Sequence, residues 1–555
     1  HIEWQRTADV GNNGEVIFAW SDTRIGDRDV YAKKIDASGN DLWGSEGIAV
    51  INASGRQEDP QLVSDGQGGA YVIWKDYRDE PDDGDFYAQH ILSDGTLAWN
   101  SSGIALTNVP GKQSSPNLCK DGQGGAFSIW KDESQGSGIP DLYGTHLGPN
   151  ESDIINPGVG VLLNSSELSY GGVSLETSAQ GSAILVWSYS AGANQGDLFA
   201  QRIDQECNTL WSTPEEGGIP IYEGVGVQES PRVTYYDENY SIIVWEDDQS
   251  GDDDIYAHFV NMDGTLVYPN PIAVSTAVDR QYKPRVKANN LGAYVIWYDL
   301  RNNLGATPVN NDIYMQRLTV ENGLEWDSAV TVASSDLSVD HTEARLTVDA
   351  SGNAFATWMD DRLIEGSYDI SIQRVNSDGM LLLNTDQSSI CIAYNRQENP
   401  IVRQDGNGGA FVIWGDARLG SVGIYSQHLS SNGITSLTID GVQSFWGIDG
   451  NTVSSYANKP KSKYLGNNEA IVYWPDQRFG QELKNYGQKV YNGWNGLQNS
   501  DGYVLSNAQA QDYPILENIG NDLMHVFPDI RCFKRGIFTF LFSNFEVWYD
   551  GQCVI

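Results

Sequence analysis

Basic residues are scarce in this chain: 34 Lys and Arg stand against 74 Asp and Glu, a formal net charge of −40 at pH 7. A phosphate backbone is held by clustered Lys and Arg, so this balance argues against nucleic acid or an anionic membrane surface as a partner. Long apolar runs are missing too. Nothing approaches the roughly 18 residues of a membrane span, and the most apolar stretch, GIFTFLF near the C-terminus, has the length of a strand. The five cysteines (Cys119, Cys207, Cys391, Cys532, Cys553) are too few and too scattered for a disulfide framework or a zinc site. Cys532 and Cys553 lie near enough in sequence either to bridge or to remain two thiols. Catalytic signatures are absent as well: there is no G-x-S-x-G elbow, Walker loop, H-E-x-x-H or C-x-x-C, and IDASGNDLW and SDGTLAW miss the spacing of a sialidase Asp-box.

What the chain does have is aromatic surface and glycine. Only 19% of its 555 residues are charged, 40% are hydrophobic, and 17 Trp, 28 Tyr and 15 Phe can fill a core. With 59 Gly, tight turns are expected rather than long helices. An acidic, Lys-poor, Trp- and Tyr-rich composition has an extracellular character. The first residue is His1 rather than Met, which implies removal of an upstream segment. An N-terminal His can chelate copper together with a partner His, as in lytic polysaccharide monooxygenases, but those are Ig-like folds and here a repeat begins almost at once.

One phrase recurs along the chain, as GAYVIWKDYRDEPDDGDFYAQHI, GAYVIWYDLRNNLGATPVNNDIYMQRL and GAFVIWGDARLGSVGIYSQHL. Trp20, Trp74, Trp130, Trp187, Trp245, Trp297, Trp358, Trp414 and Trp474 occupy one slot with a mean period of about 57 residues. A linker phrase keeps step with it: QEDP ends at Pro60, QSSP at Pro116, QESP at Pro231, QYKP at Pro284, QENP at Pro400 and QDYP at Pro514. Each period reads as four short strands separated by Asp-Gly and Gly-Gly turns. The run AYVIW is apolar on both faces, as a strand between two neighbouring sheets must be. A four-stranded sheet cannot cover both its own faces, so the units must stack, and radial stacking is a β-propeller. The fold predicted is all-β, a propeller of about nine to ten four-stranded blades. With no Pro/Ser-rich linker between halves, a single large ring is favoured over two smaller ones. Residues 1–514 hold about nine units, and 515–555 a divergent partial tenth repeat or closing segment.

The phrase W-x-D-x-R-x-G-x-x-D-[IV]-Y-A-Q followed by D-x-x-G-x-x-x-W is carried most fully by Trp20 to Trp43 and Trp74 to Trp99. It resembles repeats of large secreted proteins of Bacteroidetes-type bacteria, many of them type IX secretion substrates. The resemblance covers about residues 1–514 and implies a propeller and export to the cell surface. It implies no particular activity, and no C-terminal sorting domain is recognisable here.

Within the repeat, Asp22/Arg24, Asp76/Arg78, Asp299/Arg301, Asp360/Arg362, Asp416/Arg418 and Asp476/Arg478 fill the W-x-D-x-R slots. A constellation repeated this often reads as a bidentate ion pair that fixes loop geometry. WKDESQG lacks the Arg and WSYSAG lacks both partners. Acidic clusters in the same loops, Asp79, Asp82, Asp83 and Asp85 and then Asp252, Asp253 and Asp254, offer oxygens to calcium without EF-hand spacing, against the plainer reading of a solvated acidic loop. His90, His146 and His428 share one slot on different repeats, which argues against a metal cluster. The recurrent Gln of the third strand (Gln89, Gln201, Gln316, Gln373, Gln427, Gln488) reads as a blade-to-blade hydrogen-bonding residue.

From the first Asp to the second, the W-x-D loops span 7 residues in Asp22–Asp29, 9 in Asp76–Asp85 and 13 in Asp299–Asp312, while the DGQGG turns hardly vary. Variation on one rim of a constant scaffold suits a binding surface. Tyr77, Arg78, Tyr189, Tyr298, Arg301 and Phe479 are its candidate ligand contacts, the aromatics for stacking on sugar rings or, equally, for packing on the next blade. The reading is an extracellular or cell-surface propeller that binds a glycan or surface protein without catalysis. A glycoside-active enzyme, needing two carboxylates about 5–10 Å apart, and a structural subunit of a self-assembling array stay open.

Overall fold

The structure is a computed structural model; its described residues lie between 6 and 548, several loops excepted, with side chains described between residues 17 and 440. Ten antiparallel sheets follow one another along the chain. Nine belong to a first compact unit, His1–Ser506, and the tenth (Ile515–Ile519, Asp522–Asp529, Gly536–Ser543, Glu546–Trp548) to a second, Asn507–Ile555. Within the first unit every sheet is a meander paired in chain order. Blade 2 is typical, with strands Gln57–Ser64, Ala70–Asp76, Asp85–Ile91 and Ile104–Ala105. Blade 6 alone adds a short pairing, Gly323–Leu324, beside its fourth strand Val330–Ala333.

The first strand of each blade lies against the first strand of the next, and that of blade 9 (Lys461–Gly466) returns against that of blade 1 (Arg6–Val10). These innermost strands therefore close a circuit of nine blades, a β-propeller. Loops joining second to third strands share one end of it with the linkers between blades, here the linker end. The other two turns of each blade lie at the opposite, turn end.

Alternation along one strand ties the blades together. In Ala70–Asp76, Ala70, Val72 and Trp74 enter a cluster with Ile17, Ala19 and Val30 of blade 1, while Tyr71 and Ile73 enter another with Trp130 and Leu147 of blade 3. Blade 6 repeats the division, Val295 and Trp297 facing blade 5 and Tyr294 and Ile296 facing blade 7. The core is thus a chain of inter-blade layers, which is why AYVIW shows no alternation in sequence. Trp74, Trp130, Trp187, Trp245, Trp297, Trp358 and Trp414 are at most 2% exposed.

The Q-x-x-P phrase, a linker by its sequence, proves to be the start of the innermost strand. The residue before each Pro turns left-handed: Asp59 at φ 58°, Ser115 at 54°, Ser230 at 51°, Lys283 at 53° and Asn399 at 53°. A register shift against the second strand accompanies each one. Pro supplies no N–H to the ladder, so the bulge passes it through the sheet without an orphaned carbonyl opposite.

Candidate ligand-binding rim

At the linker end the two sequence phrases meet in one hydrogen-bonded frame. Asp76 accepts the indole N–H of Trp74 (2.9 Å), the Nε of Arg78 (2.9 Å) and the backbone N–H of Arg78 (3.0 Å), while the amide of Gln57, its cross-strand partner, lies 3.3 Å away. Arg78 in turn covers the ring of Tyr87 at 4.2 Å. Asp299 repeats the arrangement with Trp297 (2.8 Å) and Arg301, which lies 4.0 Å over Tyr314, and Asp416 with Trp414 (2.9 Å) and Arg418, 4.0 Å over Tyr425. Burial works against charge on Arg78, Arg301 and Arg418, but the bonds to Asp prevail and hold each pKa above its ordinary value. The reason for W-x-D-x-R…Y is therefore local: a buried carboxylate unites the blade's Trp, its Arg and the first residue of its innermost strand.

Blade 4 lacks the Asp, and the indole nitrogen of Trp187 has no hydrogen-bond partner among the described residues; those of Trp130 and Trp358 have none either, although Asp132 and Asp360 follow them, so the full frame belongs to blades 2, 6 and 8. Trp187→Phe and Trp297→Phe lose similar ring volume, but only the second loses a bond. Chemical denaturation is expected to show Trp297→Phe the more destabilising, by about 1 kcal/mol or more; equal losses would deny the frame any net contribution.

Several anticipated ligand contacts belong to this scaffold. Arg78 and Arg301 are tied to Asp76 and Asp299. Tyr298 is 8% exposed and its hydroxyl accepts the N–H of Ala344 in blade 7 (2.8 Å); Tyr189 is 9% exposed and its hydroxyl meets the amide of Asn164 (3.0 Å). Both tyrosines are packing residues, because the end of the second strand is roofed by the neighbouring blade. Tyr77 stays half-buried, with the Arg56 guanidinium 3.8 Å over its ring. Phe479 lies outside the described side chains.

The acids named as calcium ligands are placed one by one. Among the described residues no group of three or more His, Cys, Asp or Glu is arranged to hold a metal. Asp85 is buried and accepts the Thr107 hydroxyl (3.2 Å), Asp254 is buried and accepts Ser250 (2.7 Å), and Asp253 pairs with Arg280. Asp79 takes the Tyr87 hydroxyl (3.3 Å), while Asp82, Asp83 and Asp252 are exposed.

A second frame, at the turn end, was not foreseen. In blade 1, Lys34 and Trp43 both donate to the carbonyl of Ser93 in blade 2 (3.3 and 3.1 Å). His90 and Trp99 meet the carbonyl of Pro149 in blade 3 (3.1 and 3.2 Å), and Arg202 and Trp211 that of Met262 in blade 5 (2.8 and 3.0 Å). Trp326 reaches Ser377, and Tyr268 performs the same task towards Val320. The signal was the recurrence of Trp43, Trp99, Trp211 and Trp326 in one slot. Gln89, read as a blade-to-blade residue, bonds inside its own blade instead: its amide donates to Asn100 (2.8 Å) and its carbonyl accepts from Trp99 (3.1 Å), holding the last hairpin so that Trp99 can reach across. Gln201, Gln316 and Gln373 do likewise.

The shared histidine slot pairs with the turn. His90 Nε2 lies 3.1 Å from Asp65, His146 3.0 Å from Asp121 and His428 2.9 Å from Asp405. Burial alone would raise these carboxyls, but the His contacts and the turn N–H groups, Gln67 and Gly69 for Asp65, hold all three pKa values below the usual range. A carboxylate lowered in this way contributes stability above its unfolded pKa of about 4, and the contribution is lost as pH falls through the folded value. Replacing Asp65, Asp121 and Asp405 by Asn together is therefore expected to lower the thermal midpoint at pH 7 and to flatten its fall below about pH 4. An unchanged acid slope would contradict the assignment.

No protein-family model and no curated protein matches this chain. Solved structures give slight likenesses: polysaccharide lyase Uly1 (TM-score 0.38, 9% identity, 68% of this chain and 90% of that one) and the α-L-arabinofuranosidase Arb93A of Fusarium graminearum (TM-score 0.30, 9% identity, 58% and 94%). An endo-arabinase of Bacteroides thetaiotaomicron matches with a TM-score of 0.24 at 12% identity, over 42% of this chain and 84% of that one.

Proposed function

We propose that the protein is a secreted or cell-surface propeller that binds an extracellular glycan through its linker end and axial channel, without catalysis of its own. One observation carries the reading. The repeated Trp, Asp and Arg side chains of blades 2, 6 and 8 are bonded to one another within the scaffold, whereas the loops between second and third strands differ from blade to blade in length and chemistry. Rim residues such as Tyr77 and Arg56 in blade 2, and Arg280 with Tyr282 (4.6 Å) in blade 6, present ring faces and cations with partial solvent access. Sugar recognition uses such pairs, a flat apolar face beside polar donors.

Retention of the chain on a panel of immobilised polysaccharides, with product analysis of each polymer, tests this directly. Retention without chain cleavage is expected. Failure to bind any polymer would remove the reading, and shortened polymer would replace it with the glycoside-active enzyme.

A further inference from the structure

The innermost strands hold a distribution of charge that the composition hides. Each is bonded along its outer edge to the second strand and flanked by its equivalents in the adjacent blades, so its exposed positions face the axial channel. In blade 6 the pleat alternates, Pro284 and Val286 being buried and Lys283, Arg285 and Lys287 exposed. Exposed Arg232 follows buried Pro231 in blade 5, half-buried Arg345 follows buried Ala344 in blade 7, and half-buried Arg403 follows buried Val402 in blade 8. Six of the 34 cationic residues of a chain with net charge −40 are thereby gathered on four consecutive innermost strands. Blades 2 to 4 present uncharged or acidic residues at comparable positions, such as Gln61, Asn117, Ser174 and Glu176.

These cations crowd one another. Partial loss of solvent around the side chain, together with Arg345 and Arg232, presses the pKa of Arg285 below its ordinary value against the opposite pull of Tyr298 and Glu343, and the Arg285 guanidinium makes no hydrogen bond or ion pair among the described residues. Lys287 is felt by Glu176, two blades away, where it partly offsets the rise that burial imposes on that carboxyl. Arg345 has Glu343 beside it. Like charges that outnumber the carboxylates beside them, here Glu343 and Glu176, are unfavourable unless a further anion joins them.

We propose that this arc of the axial channel, centred on Arg285 and Lys287 with Arg232 and Arg345 at its flanks, binds the acidic groups, carboxylate or sulfate, of a saccharide chain. The proposal rests on the glycan reading above and names its ligand class. Arg285 and Lys287, beyond the bulge at Lys283, stand two residues and about 7 Å apart along the strand, which matches a ligand bearing acid groups in series. The rings of Tyr282 and Tyr298, 5.5 Å apart, stand beside Lys283 at the linker end of the same arc. A net charge of −40 opposes every polyanion at long range, so attraction of an acidic chain has to come from this local arc.

The test is calorimetric titration of the full chain with four probes: an oligogalacturonate, a chondroitin sulfate oligomer, a neutral cello-oligosaccharide and an oligo-dT. The same titrations are made on Arg285→Glu/Lys287→Glu and on Arg285→Gln, after thermal unfolding has shown that both variants are folded. Binding of at least one acidic saccharide is expected, weakened at least about tenfold in the double variant and at about 0.5 M salt, and by less in Arg285→Gln. The uronate and sulfate arms identify which acid group is recognised. Equal binding of acidic and neutral saccharides, acidic binding unaltered by the double variant, or tighter binding of oligo-dT would each overturn the proposal. Neutral binding alone overturns it while leaving the glycan reading intact, and no binding by any saccharide overturns both.

Discussion

Asp299→Ala is expected to cost about 3–5 kcal/mol of stability, because it removes one member of a buried charged pair and leaves the others in place. The indole of Trp297, both the Nε and the backbone N–H of Arg301, and a tightly packed interface with blade 5 all depend on that carboxylate. Arg301 retains some access to water and can reorient, which puts the loss towards the lower end of the range. Arg301→Lys keeps the charge but not the fork, so a smaller loss of about 1–2 kcal/mol is expected. Because nine blades do not unfold as a single two-state unit with certainty of one transition, the midpoint is best paired with amide exchange of blade 6. Were Asp299 and Arg301 ligand contacts instead of a frame, Asp299→Ala would abolish binding while leaving exchange in blade 6 unaltered.

The second large effect is expected at a glycine. Gly103, at the entrance to the fourth strand of blade 2, has φ +69°, and a Cβ built there would come within 2.6 Å of the Trp74 ring and 3.2 Å of the Ala88 carbonyl. Gly160 stands in the same relation to Trp130, and Gly218 to Trp187. Gly103→Val combines a left-handed β-branched residue with a clash against a side chain that has no room to move. About 3 kcal/mol or more should be lost, the left-handed conformation and the overpacking each contributing. Thermal unfolding beside Gly66→Ala, whose added Cβ meets nothing within 4 Å although φ is also positive, separates the clash from the backbone cost. Similar losses in both would show that the Trp contact contributes nothing.

The repeat was legible because each blade demands the same large residue at the same point of its second strand, and nine tryptophans in one slot announce it. Closure was only partly legible. It depends on Lys461–Gly466 meeting Arg6–Val10, a pairing of strands from opposite ends of the ring that no local pattern encodes. Between stacking on a sugar and packing on the next blade, the sequence leaves Tyr189 and Tyr298 open, because cover by a neighbouring blade, which buries both, is not written in the local pattern. Adjacent acids suggest calcium in the sequence, whereas in the structure Asp253 pairs with Arg280 and Asp254 with Ser250. The cationic arc escaped notice for a different reason. Comparison of repeats brings out what is constant, while Arg232, Arg285 and Arg345 share a slot in only three successive blades. The phrases PRV at Pro231 and Pro284 and ARL at Ala344 were the available signal.

The account rests most heavily on a closed circuit of nine blades whose signature residues serve the scaffold. Electron cryo-microscopy of the full chain, with particles averaged in projection along the axis, tests that directly. A single ring of nine lobes around an open channel is the result expected; two smaller rings, or an open row of sheets with free ends, would contradict it.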